Sequence, residues 1–401
     1  MARNGALDGL RVLDLTDLRG ALAGRVLADM GADVIKVEPP GGDPTRRLGP
    51  FADDRPHPDR SLPFWFYNLN KRSVTLDYQH ARGADLLMRL VESADVLIES
   101  FEPGHLEQLG LGWSVLAQRN PALTLCSIAP FGQTGPWRDF AADDTVLTAL
   151  SGMLYVNGYP NEPPVRPLGL QAYHCAGLYG AIAIMCALFA RDRSGRGQWI
   201  DLSIQEAAAC GVEHVAPSYF ATGEIARRRG TLHWAGGFRL GRCRDGWIMH
   251  SISGDWTTLL EWVKGDGAAQ DLTDPQWSDP AYRRANAAHL FDVLDQWAAD
   301  KSCREIAERA QTLRLPYAIP RSVNDLPDDE QLIARGYFVQ VEHPELGRKF
   351  LYPGSPYLFS RTPWRLYRRP PLIGEHNLEV LGGDLGIPAD ELAVLHAEGV
   401  C

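Results

Sequence analysis

The stretch RVLDLTDLRGALAGRVLADMGADVIKVE, residues 11–38, decides the fold class of this chain. RVLDLT and DVIKVE are short β-branched runs of the kind that form parallel strands buried on both faces. Between them, ALAGRVLADMGA (residues 21–32) spaces its apolar side chains at helical intervals and ends near Gly31. Strand, helix and strand make one βαβ unit, so the chain opens as a Rossmann-like α/β layer. The turn after the first strand reads TDLRGALAG, without G-x-G-x-x-G, which argues against a nicotinamide cofactor.

Working outward, SVTLD, ADVLIES and LTLCSIAP supply further strands, with helices such as ARGADLLMRLVES between them. Residues 39–63 are rich in Pro, Gly and Asp and read as a long surface loop. After Glu206 the texture changes. ARRRGTLHWAGGFRLGRCRDGWIMHSIS (residues 226–253) is rich in turns, with a hairpin around Asp245-Gly246, and amphipathic helices follow. The expected organisation is a large Rossmann-like domain over residues 1–225 and a smaller α+β domain over 226–325, followed by a C-terminal segment over 326–401.

A chain of 401 residues with 45% apolar and 22% charged residues buries a large core and reads as an ordinary globular protein. Its longest apolar run, residues 178–190, is too short for a bilayer, and no signal stretch opens MARNGALDGL, so no membrane and a cytoplasmic location are expected. The net charge of −10 argues against a nucleic-acid partner. Seven cysteines form no C-x-x-C pair and no Cys/His spacing, which predicts free thiols and no metal.

The candidate site centres on RPLGLQAYHCAGLYG, residues 166–180, which leads into a long apolar helix. With LDGLRVLDLT, LADMGADVIKVEPPGGD, NLNKRSVTLD, ADVLIESFEPG, LGLGW, FGQTGPW, SGRGQWIDLSIQEA and PPLIGEHNLEVL in order, this segment resembles the family III CoA transferases. The resemblance covers nearly the whole chain. It implies a Rossmann-like large domain that the C-terminal segment rejoins, and two such chains interlocked as a dimer. It also implies a CoA thioester and a carboxylic acid as substrates. In that family an aspartate attacks the acyl thioester, passes through a mixed anhydride and then carries CoA as an aspartyl thioester.

Here Tyr173 stands where that aspartate is expected. Only an acyl group on the enzyme can hold CoA covalently. A phenol, titrating near ~10 in model peptides, cannot take its place. His174 and Cys175 flank the position, and a thiol is able to form an acyl-enzyme; the alternative is a helix entry with a packed Cys and a locally bonded His. Asp143 and Asp144 are further candidates, either sharing a proton or offsetting a helix dipole. Racemases that resemble this chain carry His where Asp143 stands and pair it with the missing aspartate.

The resemblance places Arg19, Gly20, Ala21, Lys36, Lys71 and Arg72 beside CoA. The family's usual E-N-F-R-P-G reads Glu99-Ser100-Phe101-Glu102-Pro103-Gly104, which removes an Asn and reverses an Arg. The family's glycine run over the acid site is reduced to Gly236 and Gly237, followed by Arg239, a candidate for a substrate carboxylate or a surface cap. Some relatives, including benzylsuccinate-type transferases, are built from two homologous subunits of which one carries the aspartate. The resemblance therefore implies a non-catalytic subunit paired with an Asp-bearing homologue. A self-sufficient acyl-CoA isomerase, racemase or lyase variant is the alternative.

Overall fold

The computed structural model describes residues 5–212, 214–233 and 236–401 and divides the chain into two compact units. The first comprises residues 1–154, 166–224 and 334–401; the second comprises residues 155–165 and 225–333. Residues 155–165 thus belong with the second unit, although the sequence expectation assigned them to the large domain.

The first unit is built on six parallel strands: β1 (Arg11–Leu15), β2 (Asp33–Glu38), β3 (Arg72–Thr75), β4 (Val96–Glu99), β5 (Thr124–Ala129) and β6 (Trp199–Ser203). Their order is β3-β2-β1-β4-β5-β6. Side chains alternate between the two sheet faces, and both faces are covered. Leu13, Leu15, Leu97 and Leu125 enter one core, while Val12, Val96, Ile98, Cys126 and Ile128 enter the other. This double burial is why these strands read as unbroken apolar runs.

Up to residue 224, the α-helices of this unit are α1 (Ala21–Asp29), α2 (Leu62–Asn68), α3 (Ala81–Glu92), α4 (His105–Gln108), α5 (Trp113–Arg119), α6 (Asp144–Leu150), α7 (Gln171–Ser194), α8 (Ile204–Ala209) and α9 (Val215–Thr222). The core shared by α3 and α5 also takes in Val380, Leu381 and Leu395 from the C-terminal segment. The opposite core is filled from α1, α7 and α8. Among the described residues α7 alone is long and apolar enough to cross a membrane, yet half of it is buried within this chain. It lies so close to α1 that a Cβ on Gly177 would stand 2.7 Å from the Leu22 Cβ.

The C-terminal segment is joined to this unit by polar bonds. Arg46, 1% exposed, pairs with Glu38 at 2.6 Å and donates to the Pro371 carbonyl at 3.1 Å. Arg72 pairs with Asp33, with Glu379 at 3.1 Å and with Asp384 at 3.2 Å.

The second unit carries an antiparallel sheet of β7 (Leu232–His233), β8 (Phe238–Cys243) and β9 (Gly246–Ser251). The hairpin between β8 and β9 closes where Cys243 pairs with Gly246. Its core gathers α10 (Trp256–Gly265), α12 (Ala287–Ala298) and α13 (Cys303–Thr312) around Trp277, Phe291 and Trp297; α11 (Pro280–Ala285) lies between.

Candidate functional site

The strand order reverses between β1 and β4, and open α/β sheets take their ligands outside the carboxyl ends of such a pair. Two turns meet there. Asp17 follows β1 and Ser100 follows β4. The Ser100 hydroxyl accepts from the Asp17 N–H at 2.8 Å and donates to Asp17 Oδ1 at 2.9 Å. Arg19 Nε donates to both oxygens of Asp17 at 3.1 Å, and its NH1 reaches Glu102 Oε1 at 2.9 Å. Gly20 and Ala21 complete the turn, their N–H groups returning to the Asp17 carbonyl at 3.2 and 3.0 Å. Gly20 has no room for a side chain, because a Cβ would sit 2.7 Å from Thr16 Cγ2.

Tyr173 lies in the first turn of α7 and is 8% exposed. Burial pushes its phenol up to about 12; Arg19 pulls the other way, and Asp17, Asp144 and Asp143 add to the rise. The hydroxyl is therefore held protonated at neutral pH, in the electrostatic reach of Arg19. The Tyr173 N–H donates to Asp144 Oδ1 at 3.1 Å. Leu170, the residue capping α7, makes no side-chain cap bond, so Asp144 supplies one from a distance and satisfies an otherwise orphaned donor. Asp144 is buried, with Arg166 NH1 3.9 Å from its Oδ2. Asp143 does similar work locally, accepting from the Val146 N–H at 2.9 Å as the cap of α6. The two adjacent acids thus serve two different helix ends.

His174 points elsewhere, with Nε2 2.7 Å from the Tyr67 hydroxyl of α2. Burial lowers the His174 pKa, against the pull of Asp144, and burial followed by Asp144 pushes Tyr67 up to about 12. The pair is neutral at pH 7. Burial, then Asp144 and Cys210, raises the Cys175 thiol, so this neighbour of Tyr173 is not a ready thiolate either.

A family model described as CoA-transferase family III matches residues 7–377. The chain belongs to that family. Among curated proteins it is 36% identical over 391 residues to succinyl-CoA:(R)-benzylsuccinate CoA-transferase subunit BbsE of Thauera aromatica, with 95% of each chain covered. It is 33% identical over 406 residues to the succinyl-CoA–L-malate CoA-transferase alpha subunit of Chloroflexus aurantiacus, covering 98% of this chain and 92% of that one. Among solved structures it is similar to a CAIB/BAIF family protein from Brucella suis, with a TM-score of 0.84 at 30% identity and coverage of 94% and 98%.

In this family III transferase the other expected CoA contacts occupy unlike environments. Lys36 is 2% exposed, donates to the Thr16 carbonyl and pairs with Asp43 at 2.8 Å. Burial opposes its charge, but Asp43 and Asp14 hold its pKa above the ordinary value. Lys71 and Asp14 are both 0% exposed and 2.7 Å apart. Lys36, Lys71 and Arg72 are therefore paired with carboxylates inside the chain rather than forming an exposed basic patch: Lys36 and Lys71 lie beneath the turn, whereas Arg72 sits with Asp33 at the opposite, amino ends of the strands. Asp14 and Asp33 meet Lys71 and Arg72 only in the folded sheet, whereas Asp43 folds back onto Lys36 from the turn after β2.

In the second unit, Gly236 has φ +90° and its two preceding residues lie outside the described residues. Arg239 is paired with Asp295 and, at 2.9 Å, with Asp292, and its guanidinium sits 5.2 Å from the Phe291 ring centroid. Its charge is answered by α12. Among the described residues no group of three or more His, Cys, Asp and Glu is arranged to hold a metal.

Three residues of this region were not singled out from the sequence. Asp17 lies within the quoted TDLRGALAG and was masked by its ordinary turn role. Tyr67 lies just before NLNKRS, within an aromatic run that reads as core. Glu99 is 5% exposed and accepts from the Phe101 N–H at 2.7 Å; burial pushes its carboxyl up to about 7. A cleft of about 370 Å³ opens beyond β5 and β6, lined by Phe131, Trp137, Asp201 and Glu206, and none of the sequence candidates lines it.

Proposed function

We propose that this chain is the subunit of a family III CoA transferase that lacks the nucleophile. It would assist an Asp-bearing homologue in moving CoA from an acyl-CoA donor to a carboxylic acid. The observation that carries the proposal is Tyr173: a buried phenol, held protonated, whose backbone is fixed by Asp144 at the place the resemblance assigns to the aspartate. No acyl group is available there to accept CoA. Asp143 and Asp144 are engaged as helix caps, and Cys175 is kept as a thiol. The similarity to proteins that are themselves named as transferase subunits supports a two-chain enzyme.

In this reading the two homologous chains interlock, and Tyr173 lines rather than reacts in the site to which it contributes. The framework of the CoA half-site is retained, while its cations are internally paired. The decisive experiment co-expresses this chain with an Asp-bearing homologue from the same genome. Co-purification, together with transfer that needs both chains, is expected. Robust transfer and an enzyme-bound CoA thioester with this chain alone would overturn the reading.

One observation favours the altered-chemistry alternative, an isomerase, racemase or lyase variant. The neutral His174–Tyr67 pair at 2.7 Å has the geometry of a proton-transfer couple. Loss of an acyl-CoA isomerisation in Tyr67→Phe would support it.

A further inference from the structure

Between the turns after β1 and β4, the Arg19 guanidinium faces two carboxylates, from Asp17 and Glu102. Around Arg19 the two carboxylates outweigh the single positive charge, and the Arg138 guanidinium beside Gly104 is paired with Asp139 at 3.2 Å. Asp17 is held by Ser100 through two hydrogen bonds and grips Arg19 along the Nε edge. Glu102 arrives from the far side of the reversal point, 83 residues away in sequence, and takes NH1 at 2.9 Å. The Arg19 side chain is only 17% exposed, whereas that of Glu102 is 66% exposed. The inner carboxylate is fixed and the outer one is free to leave.

We propose that Glu102 is a specificity-determining residue that keeps CoA thioesters out of this chain's own crevice by occupying the outer edge of Arg19. A phosphate or carboxylate approaching Arg19 has to displace Glu102 and then meets Asp17, a charge already fixed in place. Like charges placed together in this way reject anions that a bare arginine would attract. The inference rests on the reading above that the turn after β1 faces CoA. It adds that in a two-chain enzyme only the partner's crevice is loaded, so CoA enters the assembly at the half-site that is able to use it.

The test is the affinity of the purified full-length chain for CoA itself, measured by titration calorimetry. Glu102→Ala removes the outer carboxylate, and Glu102→Gln removes its charge while keeping its size. Both are expected to bind CoA about fivefold more tightly than the wild type, the factor corresponding to an exposed ion pair. The gain should vanish when Arg19→Gln is combined with either change. Melting curves check that the variants fold, which the exposure of Glu102 favours. Equal or weaker binding by both variants, a gain that survives Arg19→Gln, or no measurable CoA binding by any form overturns the proposal. The subunit role is decided separately by co-purification and two-chain transfer, so it survives failure of the Glu102 experiment.

Discussion

Replacing Tyr173 by aspartate puts a carboxyl at the position that the resemblance assigns to the family's nucleophile, and the structure indicates how far that falls short. The phenol is 8% exposed and belongs to the core built on α1, α7 and α8. Removing such a ring costs about 3 kcal/mol or more. For a unit of this size that lowers the melting temperature by about 6 °C. The introduced carboxyl also meets Asp144, whose Oδ1 lies 3.1 Å from the backbone nitrogen of the same residue, and an Arg19 already paired with Asp17 and Glu102. Two unit charges ~6 Å apart at an effective dielectric of ~20 repel by about 3 kcal/mol, equivalent to roughly two pKa units. A misplaced and partly protonated nucleophile loses about 100-fold in rate from geometry alone. Tyr173→Asp, assayed without a partner, is therefore expected to transfer CoA at least about 100-fold more slowly than an Asp-bearing homologue. Steady-state transfer from an acyl-CoA donor, hydroxylamine trapping with peptide mapping, and a melting curve measure these three quantities. Homologue-like turnover with an unchanged melting temperature would refute the reasoning, because it would show a site kept intact around the missing aspartate.

Two further outcomes follow from the buried charges. Glu99 has a folded pKa raised to about 7 by burial, so the folded state binds more protons than the unfolded chain between pH ~4.5 and ~7 and stability falls as pH rises through that window. Glu99→Gln should remove this slope and gain up to about 3 kcal/mol over the wild type at pH 8 relative to pH 4, read from urea midpoints at each pH; parallel profiles would refute it. Asp14→Asn leaves the Lys71 ammonium, 0% exposed, without its counter-charge, and should cost about 3–5 kcal/mol in urea unfolding. A loss below about 1 kcal/mol would show that Lys71 is rehydrated or neutralised at little cost.

Much of the site was visible in the sequence because the chemistry is local. The absence of a carboxyl at residue 173 needs no coordinates, and the acids of FAADDTVLT sit where a helix start is written, which is where the structure uses Asp143. What failed to show was pairing across distance. Lys36 and Lys71 look like ligand contacts in isolation, but the folded sheet brings Asp14 to Lys71 and the turn after β2 folds Asp43 back onto Lys36. Arg239 looks like a free cation beside a glycine turn until α12 supplies Asp292 and Asp295. Residues 155–165 look continuous with the large domain, yet Arg228 donates to the carbonyls of Tyr155 and Tyr159.

The sequence by itself determined the doubly covered parallel sheet, the family and the absence of a carboxyl at residue 173. The first rests on unbroken β-branched runs, which a strand covered on both faces requires, and the last on the identity of a single side chain. Tertiary structure alone decided which charges remain free. Ion pairing depends on separations of a few ångströms between residues that are often dozens of positions apart, and Arg19, already beside Asp17 two residues away, acquires Glu102 from eighty-three residues away only when β1 and β4 lie side by side.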